Sequence, residues 1–520
     1  MSLTASPSFD PAQYVQIDAP CGPVRGTITA TARIFKAIPY AQPPIGPLRF
    51  RPSQALQLAT NGLARDGDAF AAAPMQARPA RPDRASSMLG DAAMSEDCLY
   101  LNIWSPTVPG AYPVFVWLHG GSNISGATSQ PIYDGATFAR DGVICVTVGY
   151  RLGVFGFLEC GEIVGEDFAG SGNNAIRDQI MALQWVRDNI AAFGGDPARV
   201  TLGGESAGAK NVAALLASPL AKGLFQSAVL QSGGGETVHS LPEAREVARR
   251  FVAAFAQRYP DVPAEGWRDA SPEQLLAVQA DVIAAYPRAF AFRSVVDGDV
   301  LPCSPLQAMQ QGAAASVRLL MGWNRDESVL FASPMMLARL GRRPDADFPI
   351  TAAELVHKEV DIVQRAMQME AECDPLATPF QRRVRVLTAE AYSLPTLALA
   401  EAQARAGGAV YLYRLDLVQS GGPFAGFAAH SSELPLMWDK YDDPFFKALF
   451  PTIEQPSVDM HAAWVAFMQN GAPDNTNLPT STPWPPYVLD GTVTRQVLSI
   501  GRQTALLNDP GAELHVIWEC

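Results

Sequence analysis

One stretch of this chain, Gly204-Glu205-Ser206-Ala207-Gly208, fits the pattern G-x-S-x-G, and no other position does. With this glycine content, chance alone yields such a match in roughly one chain of four or five, so the pattern needs context. The context is a short β-branched run, Val200-Thr201-Leu202, before it and a helical segment, Ala209–Leu216, after it. That is the strand–turn–helix setting of a nucleophile elbow, in which glycines let the backbone turn sharply around an exposed serine. Ser206 Oγ is then placed for acyl transfer, and the helix N-terminus offers N–H groups to developing negative charge. The plain alternative is an ordinary glycine-rich turn.

A serine nucleophile needs a base, and in this architecture the acid and then the histidine follow it in the chain. His357, His430, His461 and His515 all lie downstream. His357 falls in the helical pattern AAELVHKEV, His461 in VDMHAAWVAF and His515 in the strand-like ELHVIW. His430 follows the apolar run Val410–Leu415 through a glycine-rich loop. Loops after strand C-termini are where ligands of open α/β sheets bind, so His430 is the expected base. By the same rule the acid should follow Val317–Gly322. Asp326 and Glu327 both stand there, and spacing leaves the two open.

An oxyanion needs backbone donors. Ala207, next to the nucleophile, supplies one, and Gly121 and Ser122 of the loop HGGSNISG (119–126) supply the others.

The elements that must position these groups alternate strand and helix. Val114–Leu118 and Val143–Val148 read as strands buried on both faces, as do Ser227–Gln231 and the runs named above. Asn174–Ala192 reads as an amphipathic helix, with Ile176, Ile180, Leu183, Val186 and Ile190 on one face. Leu241–Gln257, Pro272–Ala285, Ala352–Glu372, Phe380–Ala406 and Ser457–Asn470 carry helical periodicity, and Gly471–Tyr487 reads as a surface loop. The expected class is α/β, a mostly parallel sheet with helices on both faces.

Composition narrows the function. The chain has 520 residues, 48% hydrophobic and 18% charged, enough for a large core. Thirty-nine basic against 52 acidic residues leave a net charge of −13, which excludes a generic nucleic-acid binder and disfavours anionic membranes. Seven cysteines (Cys21, Cys98, Cys145, Cys160, Cys303, Cys373 and Cys520), with no CxxC pair, suggest neither a zinc site nor a disulfide framework. The N-terminus has no basic or apolar signal segment, and no run of 18 apolar residues occurs, so a cytoplasmic protein without a membrane span is expected. Length alone suggests about three domains.

Several strings together resemble the type B carboxylesterase and cholinesterase family. They are FKAIPYAQPPIGPLRF (35–50), SEDCLYLNIWSP (95–106), VFVWLHGG (114–121), VGYRLGVFGFL (148–158) and GNNAIRDQIMALQWVRDNIAAFGGDPARVTLGGESAG (172–208). LQSG (230–233), VVDGDVLP (295–302) and GWNRDES (322–328) continue them in the family's order, closely to about residue 330 and more loosely beyond. The resemblance implies one α/β-hydrolase domain over residues 1–520, with helical insertions over the cleft. Its approximate parts are 1–235, an insertion with the acid-bearing strand at 236–345, and a helical C-terminal part at 346–520. It implies a serine esterase with the triad Ser206, Glu327 and His430 and oxyanion donors Gly121, Ser122 and Ala207. No metal or organic cofactor is required, and the partner is a small-molecule ester. Arg49 with Glu96, and Arg151 with Asp178, fall at the family's buried ion pairs.

Three departures matter. Ser122 stands where Gly or Ala is usual and Asn123 where an aromatic is common, which implies either a reshaped acyl side of the pocket or a hydroxyl near the reacting carbonyl. Cys98 lacks the nearby upstream cysteine that bridges secreted members, which favours an intracellular enzyme. No aromatic residue lies between Ala71 and Leu99, so the ring that would hold a quaternary ammonium is missing and choline esters are not expected. Amide or carbamate hydrolysis by the same triad, and a non-catalytic binding role, are the rival readings. Phe290, Phe331 and Trp438 are candidate pocket residues.

Overall fold

A computed structural model describes residues 14–56, 65–78, 92–331, 349–451, 458–473, 484–489 and 495–512, with a few isolated positions besides. His515, Cys520 and positions 474–483 of the expected loop lie outside them.

One hydrogen-bonded sheet runs through the molecule. Its strands are β1 (Tyr14–Ala19), β2 (Gly22–Ile28), β3 (Ala32–Pro39), β4 (Tyr100–Pro106), β5 (Tyr112–Leu118), β6 (Ile144–Val148), β7 (Gly195–Glu205), β8 (Ser227–Gln231), β9 (Arg318–Asn324), β10 (Val410–Leu415), β11 (Gln496–Ile500) and β12 (Ala505–Asn508). They lie side by side in the order β1-β2-β3-β4-β6-β5-β7-β8-β9-β10-β11-β12, and the two-residue strand Arg65–Asp66 pairs beside β2. From β6 to β11 every neighbouring pair is parallel; the outer strands are antiparallel. β6 and β8 are buried along their whole length, as is β5 after its first residue. Helices cover both faces of these parallel strands, which is why apolar runs rather than alternating patterns encode them.

The helices are α1 (Asn174–Asn189), α2 (Ala207–Ala217), α3 (Leu241–Arg258), α4 (Pro272–Ala285), α5 (Val360–Cys373), α6 (Pro379–Thr388), α7 (Leu394–Arg405) and α8 (Met460–Asn470), with shorter turns between. In α1, Ile176, Ile180, Leu183 and Val186 are buried, and the helix tightens into a 3-10 turn that ends at left-handed Gly194. α3 and α4 both begin with a serine capping box, Ser240 with Glu243 and Ser271 with Gln274, followed by proline in the first turn.

Three expected helices differ in extent. The segment expected at Ala352–Glu372 makes a 3-10 turn at Ala352–Glu354 and becomes an α-helix only at Val360, because the N–H groups of Val356, His357 and Lys358 donate to the buried Glu390 carboxylate instead of to helical carbonyls. His357 therefore sits in a bend, not a helix. The span Phe380–Ala406 is helical but passes through a π-helical turn at Ala389–Ser393 between α6 and α7. Pro395 explains it: proline lacks an N–H and its ring crowds the carbonyl four residues back, so the ladder widens there. The last of the three, expected from Ser457, begins at Met460 under an Asp459 cap.

Both expected ion pairs form. Arg151 grips Asp178 through Nε (2.8 Å) and Nη2 (2.6 Å), with side chains 3% and 0% exposed. Arg49 binds Glu96 in the same two-pronged way. Cys98 is a buried free thiol whose pKa burial pushes up. Among the described residues no helix is long and apolar enough to cross a membrane.

Candidate active site

β7 delivers Gly204 and Glu205 to the sheet edge, and α2 begins at Ala207. Ser206 is held between them at φ 54°, ψ −120°, a left-handed conformation that costs a non-glycine residue strain and turns its side chain outward. Its N–H donates to Gln231 O of the neighbouring strand at 2.9 Å, which fixes the elbow to β8. The flanking glycines are obligatory. A Cβ on Gly204 would lie 2.4 Å from Gly208 C, and one on Gly208 only 2.0 Å from Leu118 O. Helix α2 and strand β5 are thus docked backbone to backbone.

The loop after β5 packs on the same spot. A Cβ on Gly120 would lie 3.2 Å from Ser206 Cβ. Gly121, Ser122 and Asn123 all take positive φ (111°, 56° and 60°), which rotates successive N–H groups to one side. Among the described residues the N–H groups of Gly121, Ser122 and Ala207 have no acceptor. Asn123 instead reaches into the wall, donating to Phe292 O at 3.3 Å and accepting from Asn211 at 3.2 Å.

β9 and β10 supply the rest. Glu327 follows β9 and is fully buried. It accepts from Asn324 N at 2.7 Å through one oxygen and from His430 Nδ1 at 2.5 Å through the other. The carboxylate of Asp326 points away, accepting from Ala428 N (2.9 Å) and Arg325 Nη2 (2.8 Å), so it clamps the loop that carries His430. Asn324 adds a second clamp on that loop through Ala429 O at 2.9 Å. The two adjacent carboxylates therefore divide between holding the ring and holding the loop.

His430 Nε2 lies 3.2 Å from Glu205 Oε1, next to Ser206, and no hydrogen bond joins it to Ser206 Oγ. Glu205 accepts from Ser431 Oγ at 2.6 Å, and Glu433 accepts from Gln231 Nε2 at 3.5 Å and from Asn324 Nδ2 at 2.5 Å. Burial opposes a charge on His430, but Glu205 and Glu327 outweigh it and raise its pKa to about 9. Burial, then Glu205 and Glu327, push Glu433 up to about 8. Burial likewise raises Glu205.

Sequence reasoning missed Glu205 and Glu433 as neighbours of His430. Glu205 is the variable residue of the elbow, and Glu433 stands three residues beyond His430, at the start of the short helix Leu434–Met437. Tyr392, from the π-helical turn, and Phe331 both face the His430 ring, at 5.2 and 5.4 Å between centroids. Phe290 adjoins Phe331 at 6.5 Å. Trp438 sits elsewhere, fully buried among Phe115, Trp117, Tyr133 and Phe138. His119 is a core residue stacked on Tyr150, its pKa lowered to about 4 by burial. His461 bonds Met437 O and Asp141 away from this cluster.

The arrangement joins an outward serine, a histidine anchored by a buried carboxylate, and free N–H groups at a helix start. Comparison with known proteins points the same way. The model of the carboxylesterase family matches residues 13–515. The chain is 33% identical to a para-nitrobenzyl esterase of Bacillus subtilis, over 95% of this chain and 96% of that one. It is 31% identical to a phenmedipham hydrolase of Pseudarthrobacter oxydans, over 95% of each. A solved carboxylesterase of Geobacillus stearothermophilus superposes with a TM-score of 0.78 at 32% identity, covering 97% of this chain and 99% of that one.

Proposed function

The chain belongs to the carboxylesterase family and is a carboxylic ester hydrolase, and on that premise we propose that it works through an acyl-enzyme on Ser206. His430 takes the Ser206 proton as Oγ attacks the ester carbonyl. The oxyanion of the tetrahedral intermediate rests on the N–H groups of Gly121, Ser122 and Ala207. His430 then protonates the departing alcohol, and a water activated the same way releases the acid. Glu327 holds the imidazole by its Nδ1 and balances the imidazolium.

The observation that carries this reading is the 2.5 Å contact between His430 Nδ1 and Glu327 beside the strained Ser206 elbow. Three unpartnered N–H groups at the same place support it. His430 lies beside Glu205 rather than bonded to Ser206, and hydrogen bonds of this kind often tighten only once substrate is bound. Ser206→Ala should lower kcat/KM on a short-chain nitrophenyl ester by on the order of 10⁵-fold while circular dichroism stays unchanged. Retained activity in that variant overturns the proposal. A serine-directed organophosphate should label the parent once, on the peptide holding Ser206.

A further inference from the structure

Lys210 stands one helical turn after Ser206 in α2, yet the residue is only 9% exposed. Its Nζ lies 4.2 Å from the centre of the Phe290 ring and 5.6 Å from that of Tyr392. Tyr392 and Phe331 also flank His430, so one aromatic wall runs from the histidine to the ammonium. The wall opens outward through Phe331, which is 44% exposed.

Among the described residues no carboxylate lies within ion-pair distance of Lys210, and none accepts a hydrogen bond from it. Glu390, the carboxylate that acts most strongly on it, spends its oxygens on the N–H groups of Val356, His357 and Lys358. A second buried cation, Arg293, is 6% exposed and among the described residues donates only to backbone, to Phe290 O at 2.8 Å and to Ala289 O. The half-buried His357 nearby has its pKa lowered by desolvation and then by Lys210, Arg293, Lys358 and Arg288. Two buried cations, Lys210 and Arg293, thus act on each other near the serine, while Glu390, Glu327 and Glu205 act on Lys210 from beyond ion-pair distance. Burying a lone ammonium is costly unless something pairs with it.

Building on the esterase reading, we propose that Lys210 is a specificity-determining residue that receives a second carboxylate carried by the substrate ester. The aromatic wall takes the intervening methylenes, and the ammonium at its end takes the negative charge. Burial and then Arg293 bring the Lys210 pKa down to about 7, and an incoming carboxylate restores the full charge. The second carboxylate can belong to the acyl or to the alcohol part, and the chemistry at Nζ is the same.

The test compares two matched pairs at pH 7 by alkali titration: monoethyl adipate against ethyl hexanoate, and the butyrate ester of 4-hydroxybutyrate against butyl butyrate. In one pair the parent enzyme should favour the carboxylate ester in kcat/KM by about tenfold or more, and the pair names the side. Lys210→Met should cut that ratio by about tenfold to a hundredfold, chiefly through KM. A Lys210 that only balances the carboxylates behind His430 would slow both members of a pair alike, and that result overturns the inference. So does a parent ratio near or below one in both pairs, which needs no variant to fold. Hydrolysis of neither member of any pair refutes the esterase reading itself, and this inference with it.

Discussion

Two regions of the molecule bury charge in opposite ways. Beside α1, Arg151 and Asp178 meet through two hydrogen bonds, and the arginine also donates to Arg51 O and Asn174 O. Around His430, by contrast, Glu205, Glu327 and Glu433 crowd one imidazole, and Lys210 lies nearby with no carboxylate among the described residues within ion-pair distance. The first region has every charge answered, and its role is to fix how strand and helix pack. The second leaves charges facing one another or facing the aromatic wall, an arrangement that raises pKa values on one side and lowers them on the other. Unanswered burial of charge is where chemistry is expected.

The contrast can be broken experimentally. Asp178→Ala strands Arg151 and should cost about 3–5 kcal/mol in denaturant unfolding. A loss below about 1 kcal/mol would mean that water reaches the guanidinium and the pairing is ornamental. Lys210→Met should behave in the opposite sense, leaving stability unchanged or raising it by about 1–2 kcal/mol, since it breaks no ion pair among the described residues. A clear loss of stability would place Lys210 with the structural charges.

Proton titration sharpens the same contrast. With a raised pKa, His430 is largely protonated at neutral pH, so kcat/KM should climb as pH rises and the neutral base grows. Glu205→Gln removes a carboxylate that favours the imidazolium and should move this limb to lower pH by about one unit. An unmoved limb would exclude Glu205 as a source of the shift. The smallest effect belongs to the exposed Arg187–Asp188 pair, 54% and 56% exposed. Arg187→Ala should change stability by less than about 0.5 kcal/mol, and a larger loss would show that position on α1 matters beyond its exposure.

The parts of the site that could be read in the sequence are those written in consecutive residues. The elbow spells its own strand, turn and helix between Val200 and Leu216, and the loop at 119–126 opens directly from a strand. The choice between Asp326 and Glu327 was invisible to spacing because it depends on which carboxylate the Asn324 and Ala428 N–H groups claim. Lys210 was overlooked because one lysine in a helix normally reads as a solvated face, and only the packing of Phe290 and Tyr392 shows otherwise. Tyr392 owes its place to a π-helical turn that periodicity cannot foresee. The late start of α5 likewise depends on Glu390, which lies more than thirty residues further along the chain.

The missing side chain at Gly208 bears on how this protein fails. With α2 and β5 docked so closely that a single methyl group would collide with Leu118 O, the loop that follows β5 and the serine that precedes α2 cannot drift apart by degrees. Warming can loosen the outer helices while their spacing holds, until the sheet itself gives way. Residual activity during unfolding should therefore report the integrity of the central strands, and fall in a single step when they part.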